Sequence, residues 1–227
     1  MAKKLFVSGT GTDVGKTFVS GLILKKLNDN GINCGYYKAA VSGNVRGNDG
    51  SLIPGDALYV KTVSGIGQPL EAMCPFVYEN AVSPHLASRI EGEPVRLDIV
   101  LEKLKAAEEQ YDYLTAEGSG GIICPLRFDD EEIWLEDFIR AGNFSCLIVA
   151  DAGLGTINNV VLTVSYIQSH KIPVKGIIFN HYDPNNVMHN DNIKMCEYAT
   201  GLKVISCVKR NDKELDIDIE KLKALYE

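Results

Sequence analysis

An α/β domain on a mostly parallel sheet is what the sequence predicts, and three observations predict it. Continuous apolar runs of strand length recur along the chain, helical apolar patterns lie between them, and a glycine-rich loop joins the first run to the first helical pattern. Strands alternating with helices indicate βαβ units with right-handed crossovers. The expected product is a doubly wound sheet of about six to seven strands with helices on both faces. The 227 residues fit one domain spanning 1–227 more easily than two.

The strand-like runs are Leu5–Ser8, Cys34–Ala39, Tyr113–Ala116, Cys146–Ala150, Gly176–Asn180 and Val204–Val208. Most are continuous rather than alternating, which suits strands buried on both faces. Lys16 to Asn28 places Phe18, Val19, Leu22, Ile23 and Leu27 on one helical face, with Gly31 as the stop. Pro94 to Gln110 opens with a proline and carries Leu97, Val100, Leu101 and Leu104. Ile157 to Gln168 carries Val160, Val161, Val164 and Ile167, and Lys213 to Tyr226 reads as a charged amphipathic helix. Ser83-Pro84 marks another helix start, with Ser83 as cap. The least regular stretch is Gly43 to Gly55. A loop of that length is functional or mobile, and closure over a substrate is the expectation.

The charge of −7 and a pI of about 5.2 exclude the basic clustering of a nucleic-acid or anionic-membrane partner. The run Asp129-Asp130-Glu131-Glu132 reads as a solvated loop. No stretch approaches the ~18–20 apolar residues of a membrane helix. The first apolar run stops at Ser8-Gly9, too short for a secretory leader, so a cytoplasmic location is expected. The six cysteines form no CxxC pair and have no histidine at zinc-like spacing. Reduced thiols follow, with Cys146 and Cys207 in the core. His170, His181 and His189 show no metal-like arrangement.

Gly9-Thr10-Gly11-Thr12-Asp13-Val14-Gly15-Lys16-Thr17 follows the first strand and opens the first helix. In that context a glycine-rich loop ending in Gly-Lys-Thr is a phosphate-binding P-loop. Its N–H groups and the helix N-terminus cradle phosphate oxygens. The nucleotide-binding stretch is Asp13, Val14, Gly15, Lys16, Thr17 and Phe18. Lys16 is expected to reach the β- and γ-phosphates, and the Thr17 hydroxyl to ligate Mg2+. Five residues separate Gly9 from Gly15 instead of the usual four. The competing explanation is a glycine turn that merely caps a helix. Glu117 ends a buried strand, where a metal-binding acid belongs. Asp56 precedes an apolar helical run, so it is either a metal ligand or an N-terminal cap.

Further segments follow in order: Gly35-Tyr36-Tyr37-Lys38, Val41-Ser42-Gly43, Gly55-Asp56-Ala57-Leu58, Ser83-Pro84-His85, Glu91-Gly92, Glu117-Gly118-Ser119-Gly120-Gly121, Pro125-Leu126, Leu154-Gly155-Thr156-Ile157-Asn158 and Asn180. With the lengthened P-loop, this set resembles the dethiobiotin synthetase family over about the first 180 residues.

The resemblance implies an ATP-dependent carbon–nitrogen ligase. The family carboxylates the vicinal diamine 7,8-diaminopelargonate with CO2. The carbamate then attacks the γ-phosphate, and the second amine closes a cyclic urea as phosphate leaves. It implies that Lys38 and Lys16 are catalytic, and that Thr17, Asp56 and Glu117 hold Mg2+. Gly118, Ser119 and Gly120 would contact the nucleotide, and Asn180 the adenine. Thr12 and Ser42 would contact the diamine; Asp13 replaces a glutamate common in the family. Family members are homodimers. Gly155, Thr156, Ile157 and Asn158 correspond to the segment that receives the substrate's carboxylate tail at the subunit interface.

The sequence departs from the family at His181, where an Asp is common, and at Ser206-Cys207-Val208-Lys209, where a Gly-Glu-Ile-Pro-like stretch borders the base. The competing function is a P-loop switch ATPase acting on a protein partner. Gly11 stands where such ATPases carry a signature lysine. A cobyrinate-type amidoligase would need a glutaminase domain after Asn180, and a metabolite kinase would not need the segments at Lys38 and Glu117.

Overall fold

The structure, a computed structural model, describes residues 2–227. Six parallel strands form its sheet: β1 (Lys3–Gly9), β2 (Cys34–Tyr37), β3 (Tyr113–Glu117), β4 (Cys146–Asp151), β5 (Val174–Asn180) and β6 (Val204–Cys207). Their spatial order is β6-β5-β4-β1-β3-β2. The helices are α1 (Lys16–Asp29), α2 (Gly55–Ser64), α3 (Pro84–Glu91), α4 (Leu97–Gln110), α5 (Leu135–Ala141), α6 (Thr156–Ser169), α7 (Val187–Thr200) and α8 (Ile219–Lys223). Short two-stranded pairs lie outside the sheet.

The continuous apolar runs are explained by two cores, one on each face. In β1, Leu5 and Val7 point into one core and Phe6 into the other. In β4, Leu147 and Val149 separate in the same way from Cys146, Ile148 and Ala150. Helices α1, α2 and α8 cover the first face, and α4, α5, α6 and α7 the second. Phe6 is fully buried against the edges of Phe138 and Phe144, with centroids 6.0 and 5.7 Å away. Burying one such side chain stabilises the fold by roughly 1.5–3 kcal/mol.

Register decides what meets at the carboxyl end of the sheet. Val7 pairs with Glu117, and Tyr37 with Ala116, so the residue after β2 comes level with the last residue of β3. The order reverses around β1, and ligands of open α/β sheets bind at such points.

Several boundaries differ from expectation. The second strand ends at Tyr37 rather than Ala39, because the Lys38 N–H turns to the Met73 carbonyl. It is an edge strand, separated from β1 by β3, so Lys38 approaches the P-loop across β3. Helix α4 starts at Leu97: Arg96 is extended, and Val95 is buried as an anchor before the helix. The expected helix from Lys213 shrinks to the five residues of α8. Leu215 and Ile217 are both buried, a spacing of two that a helix cannot put on one face, and Asp218 caps the turn that follows. Gly43 to Gly55 contains a hairpin pairing Val45–Arg46 with Leu52–Ile53. Ser83 is at the N-cap of α3 before Pro84, but its hydroxyl contacts His85 rather than the helix backbone.

Candidate functional site

The P-loop leaves β1 at Gly9 and enters α1 at Lys16. Asp13 and Gly15 both have positive φ, 59° and 92°. At Gly15 a Cβ would lie 1.9 Å from Asn180 Nδ2, so only glycine fits between the loop and the end of β5. Lys16 folds back over the loop and donates to the Gly11 carbonyl at 2.8 Å. Burial, then the charge of Lys38, holds its ammonium below the ordinary lysine range. Among the described residues it has no carboxylate partner within 4 Å, the nearby acids pairing with Lys38 instead, so its charge is available to an anion in the loop.

Lys38 is buried between two acids. Its Nζ donates to Asp56 Oδ2 at 2.5 Å and to Glu117 Oε1 at 2.8 Å. The Thr17 hydroxyl donates to the same Glu117 oxygen at 2.8 Å. Burial disfavours the Lys38 charge, but Glu117 and Asp56 outweigh it and raise its pKa. Asp56 is held low: burial opposes its charge, and Lys38 overcomes that. It lies in the first turn of α2, whose cap position is Pro54, so its carboxylate is committed to the cleft rather than to capping.

The donor set of Thr17, Asp56 and Glu117 is all oxygen, which is what Mg2+ prefers. Among the described residues Glu117 Oε2 is buried with no hydrogen-bond partner, an orphan that a cation would satisfy. The buried Tyr36 hydroxyl stands beside the same carboxylate and, among the described residues, completes no hydrogen bond of strict geometry. Burial first, then the Glu117 charge, drives its pKa well above the usual phenol value. Sequence reasoning gave Tyr36 no role, although it stands inside the Gly35–Lys38 segment.

Thr12, Asp13, Gly15, Lys16, Thr17, Lys38, Asp56, Glu117 and Gly120 line one cleft of about 350 Å3. A larger cavity of about 620 Å3 lies at the amino end of the sheet, where Lys4 and Glu108 already pair at 2.7 Å. It lacks convergent phosphate-binding groups, so the smaller cleft is the better candidate.

Other expected residues support the cleft from outside its walls. Gly118 N–H donates to the Val7 carbonyl, and Ser119 Oγ to the Ala40 carbonyl at 2.7 Å, which fixes the glycine turn after β3. Ser42 Oγ donates to the Val82 carbonyl. Val14 and Phe18 pack against the core beneath α1. Gly155 to Asn158 form the N-terminus of α6 and do not line the cleft. Gly155 is left-handed there, and Thr156 Oγ1 is buried without a partner.

Asn180 is buried and donates to the Val14 carbonyl at 3.0 Å. Beside it, His181 Nδ1 lies 2.6 Å from Asp151 Oδ2. Burial works against the Asp151 charge, and the bonds from His181 and the Gly153 N–H overcome it to lower the pKa. This cluster escaped the sequence reading, because 30 residues separate its two charged members. A cleft of about 470 Å3 opens next to it, lined by His181, Tyr182, Lys209 and Arg210 among others. All six cysteines are free, five of them buried and Cys207 half-buried. No helix among the described residues is long and apolar enough to cross a membrane.

Comparison with known proteins gives consistent matches. Residues 3–215 match a family model described as an AAA domain. ATP-dependent dethiobiotin synthetase BioD of Clostridium novyi (strain NT) is 45% identical over 234 residues, covering 98% of both chains. The enzyme of that name from Brachyspira hyodysenteriae is 45% identical over 228 residues and all of both chains. That from Clostridium botulinum (strain Loch Maree / Type A3) is 42% identical over 100% of this chain and 99% of the relative. Among solved structures, the MinD cell division protein of Aquifex aeolicus superposes with a TM-score of 0.55 at 13% identity, covering 93% of this chain and 84% of the other. A ParA family ATPase of Chlorobium tepidum TLS gives 0.54 at 14% identity, covering 93% and 85%. At such identities these two establish the P-loop fold alone.

Proposed function

We infer the roles of the site residues from one premise: the chain belongs to the family of ATP-dependent dethiobiotin synthetases. The reaction joins a vicinal diamine and CO2 into a cyclic urea, and ATP, which activates the carbamate, ends as ADP and phosphate. Its difficult part is charge: an anionic carbamate must attack an anionic γ-phosphate. Positioned cations answer that demand.

The observation that carries the reading is the convergence of two buried ammonium groups, Lys16 and Lys38, on the cleft above the P-loop. Lys16 binds the β- and γ-phosphates once it leaves the Gly11 carbonyl. Lys38 bridges the carbamate and the γ-phosphate, holding the nucleophile in line. Thr17, Asp56 and Glu117 would hold Mg2+, which when bound neutralises phosphate charge. The orphan Glu117 oxygen supports that assignment. Asp13 to Phe18 supply backbone N–H groups to the phosphates, and Gly118 to Gly120 let the nucleotide approach closely. Thr12 and Ser42 contact the diamine. Asn180 reads the base beside the cleft at His181.

The working form is a homodimer of single-domain chains, in the cytoplasm. Six free thiols suit a reducing compartment. Leu154, Leu162, Val187 and Tyr198 are 92%, 62%, 82% and 85% exposed, on or just before the packed pair α6 and α7. An apolar face of that kind suits a second copy. It brings Gly155 to Asn158 to the partner's site. There a helix N-terminus and the unpartnered Thr156 hydroxyl suit the diamine's carboxylate tail.

The test is incubation with Mg-ATP, labelled bicarbonate and 7,8-diaminopelargonate. Acid-stable label in dethiobiotin is expected. ATP hydrolysis that ignores the diamine, with no label fixed, would overturn the reading.

A further inference from the structure

Asn180 and His181 sit where β5 leaves the sheet, with His181 in the left-handed region at φ 56°. The Asn180 amide nitrogen is shared: it donates to the Val14 carbonyl at 3.0 Å and faces His181 Nε2 at 3.3 Å. The other imidazole nitrogen, Nδ1, meets Asp151 Oδ2 at 2.6 Å. Hydrogen-bond chemistry fixes every proton in this chain. The Val14 carbonyl can only accept, so the amide cannot be flipped to present its oxygen there. The amide nitrogen can only donate, so Nε2 is the bare acceptor. The carboxylate can only accept, so Nδ1 carries the hydrogen.

Asp151 passes the constraint on. Its second oxygen accepts from the Gly153 N–H at 2.7 Å. From the far side, the buried Asn192 donates to the carbonyls of Ala152 and Gly153 at 2.9 and 3.0 Å. The turn leading into Gly155 and α6 is therefore held at both edges.

We propose that His181 is a positioning residue for both substrates. As the Nδ1–H tautomer, one imidazole sets the P-loop through Asn180 and the turn before α6 through Asp151. The second half rests on the reading that the α6 N-terminus receives the diamine's carboxylate in the partner's site. His181 touches no reacting atom. It acts by fixing backbone, and a misplacement of a few tenths of an ångström at either end weakens binding there.

Two conservative variants separate the arms. His181→Asn keeps a donor near the Nδ1 position and tolerates the left-handed backbone, but is too short to reach Asn180. His181→Gln extends its oxygen toward the Nε2 position and gives up Asp151. The expected result is a crossed pattern. The Asn variant raises KM for Mg-ATP about five- to tenfold, the size of one lost hydrogen bond, and leaves the diamine KM unchanged. The Gln variant does the reverse, and both keep a Tm near that of the unsubstituted chain. A parallel shift of both constants in both variants, or no shift in either, would overturn the proposal. A vicinal diamine lacking the tail carboxylate, assayed on the unsubstituted enzyme, checks the underlying reading separately. A raised KM there supports it; an unchanged KM removes it, and the Asp151 arm of the proposal with it.

Discussion

Lys38 and Glu117 meet across the ends of two neighbouring strands, with Nζ 2.8 Å from Oε1 and both side chains almost wholly buried. The parallel register that pairs Tyr37 with Ala116 makes the contact, so the sheet itself builds the centre of the site. Removing Lys38 leaves the buried Glu117 charge uncompensated, and that is worse than losing both partners; without Glu117, Lys38 still has Asp56. Lys38→Ala is expected to lower stability by on the order of 3 kcal/mol. It should reduce kcat by about 10²–10³-fold, as when one preorganised charge is withdrawn from a transition state. Lys38→Arg keeps the charge but not the compact ammonium, and should restore the Tm better than the activity. Denaturant melts alongside labelled-bicarbonate turnover read both.

Glu117→Gln keeps an oxygen to accept from Thr17 and removes the negative charge. If Glu117 holds Mg2+, the metal concentration for half-maximal activity rises roughly tenfold or more, while the sheet stays intact. An unchanged Mg2+ titration would mean that the orphan oxygen serves something other than the cation.

Gly15→Ala tests the contact between the P-loop and β5. The new Cβ would overlap Asn180 Nδ2, and the φ of 92° is one that alanine resists. Strain of ~1–3 kcal/mol is expected, together with loss of nucleotide binding by calorimetry. Normal ATP affinity in this variant would show that the loop can move away from Asn180 without consequence.

The cysteines provide a test of packing. Burial pushes the thiols of Cys34, Cys74 and Cys146 up to about 12, and that of the half-buried Cys207 to about 11. A raised pKa favours the protonated, unreactive thiol. Near pH 8 alkylation should be slow for the folded chain, with Cys207 the first to react, and fast after unfolding.

What could be read from the residues alone follows the range of the interactions. The P-loop is local: one strand, one loop and the start of one helix, all within Lys3–Thr17, so its pattern carries its own context. Lys38, Asp56 and Glu117 stood out through motif resemblance, but their mutual contacts are set by strand order. The placement of β3 between β1 and β2 is a property of the whole sheet that no segment encodes. The pair Asp151 and His181 depends on β4 and β5 being neighbours, and was invisible for the same reason. The helix expected over 213–226 failed because Leu215, Ile217 and Leu222 satisfy strand-like and helical spacings in turn.

The exposed apolar face on α6 and α7 leads to the most decisive prediction about assembly. In the proposed homodimer, Lys16, Lys38 and the acids of one protomer would be completed by the carboxylate-binding turn at Gly155 of the other. Leu162→Glu places a charge at an exposed position in the middle of α6, away from the cleft and from the turn itself. It should fold normally, since the position is already solvated in the isolated chain. If the face is the dimer contact, burying that carboxylate without a partner is unfavourable enough to shift the chain to a monomer by light scattering. Mg-ATP affinity should then be retained. The diamine KM should rise about 10–100-fold, as expected for losing hydrogen bonds to a charged group. A monomer with an unchanged diamine KM would mean that each protomer binds the tail by itself. A dimer that persists would move the interface to another face.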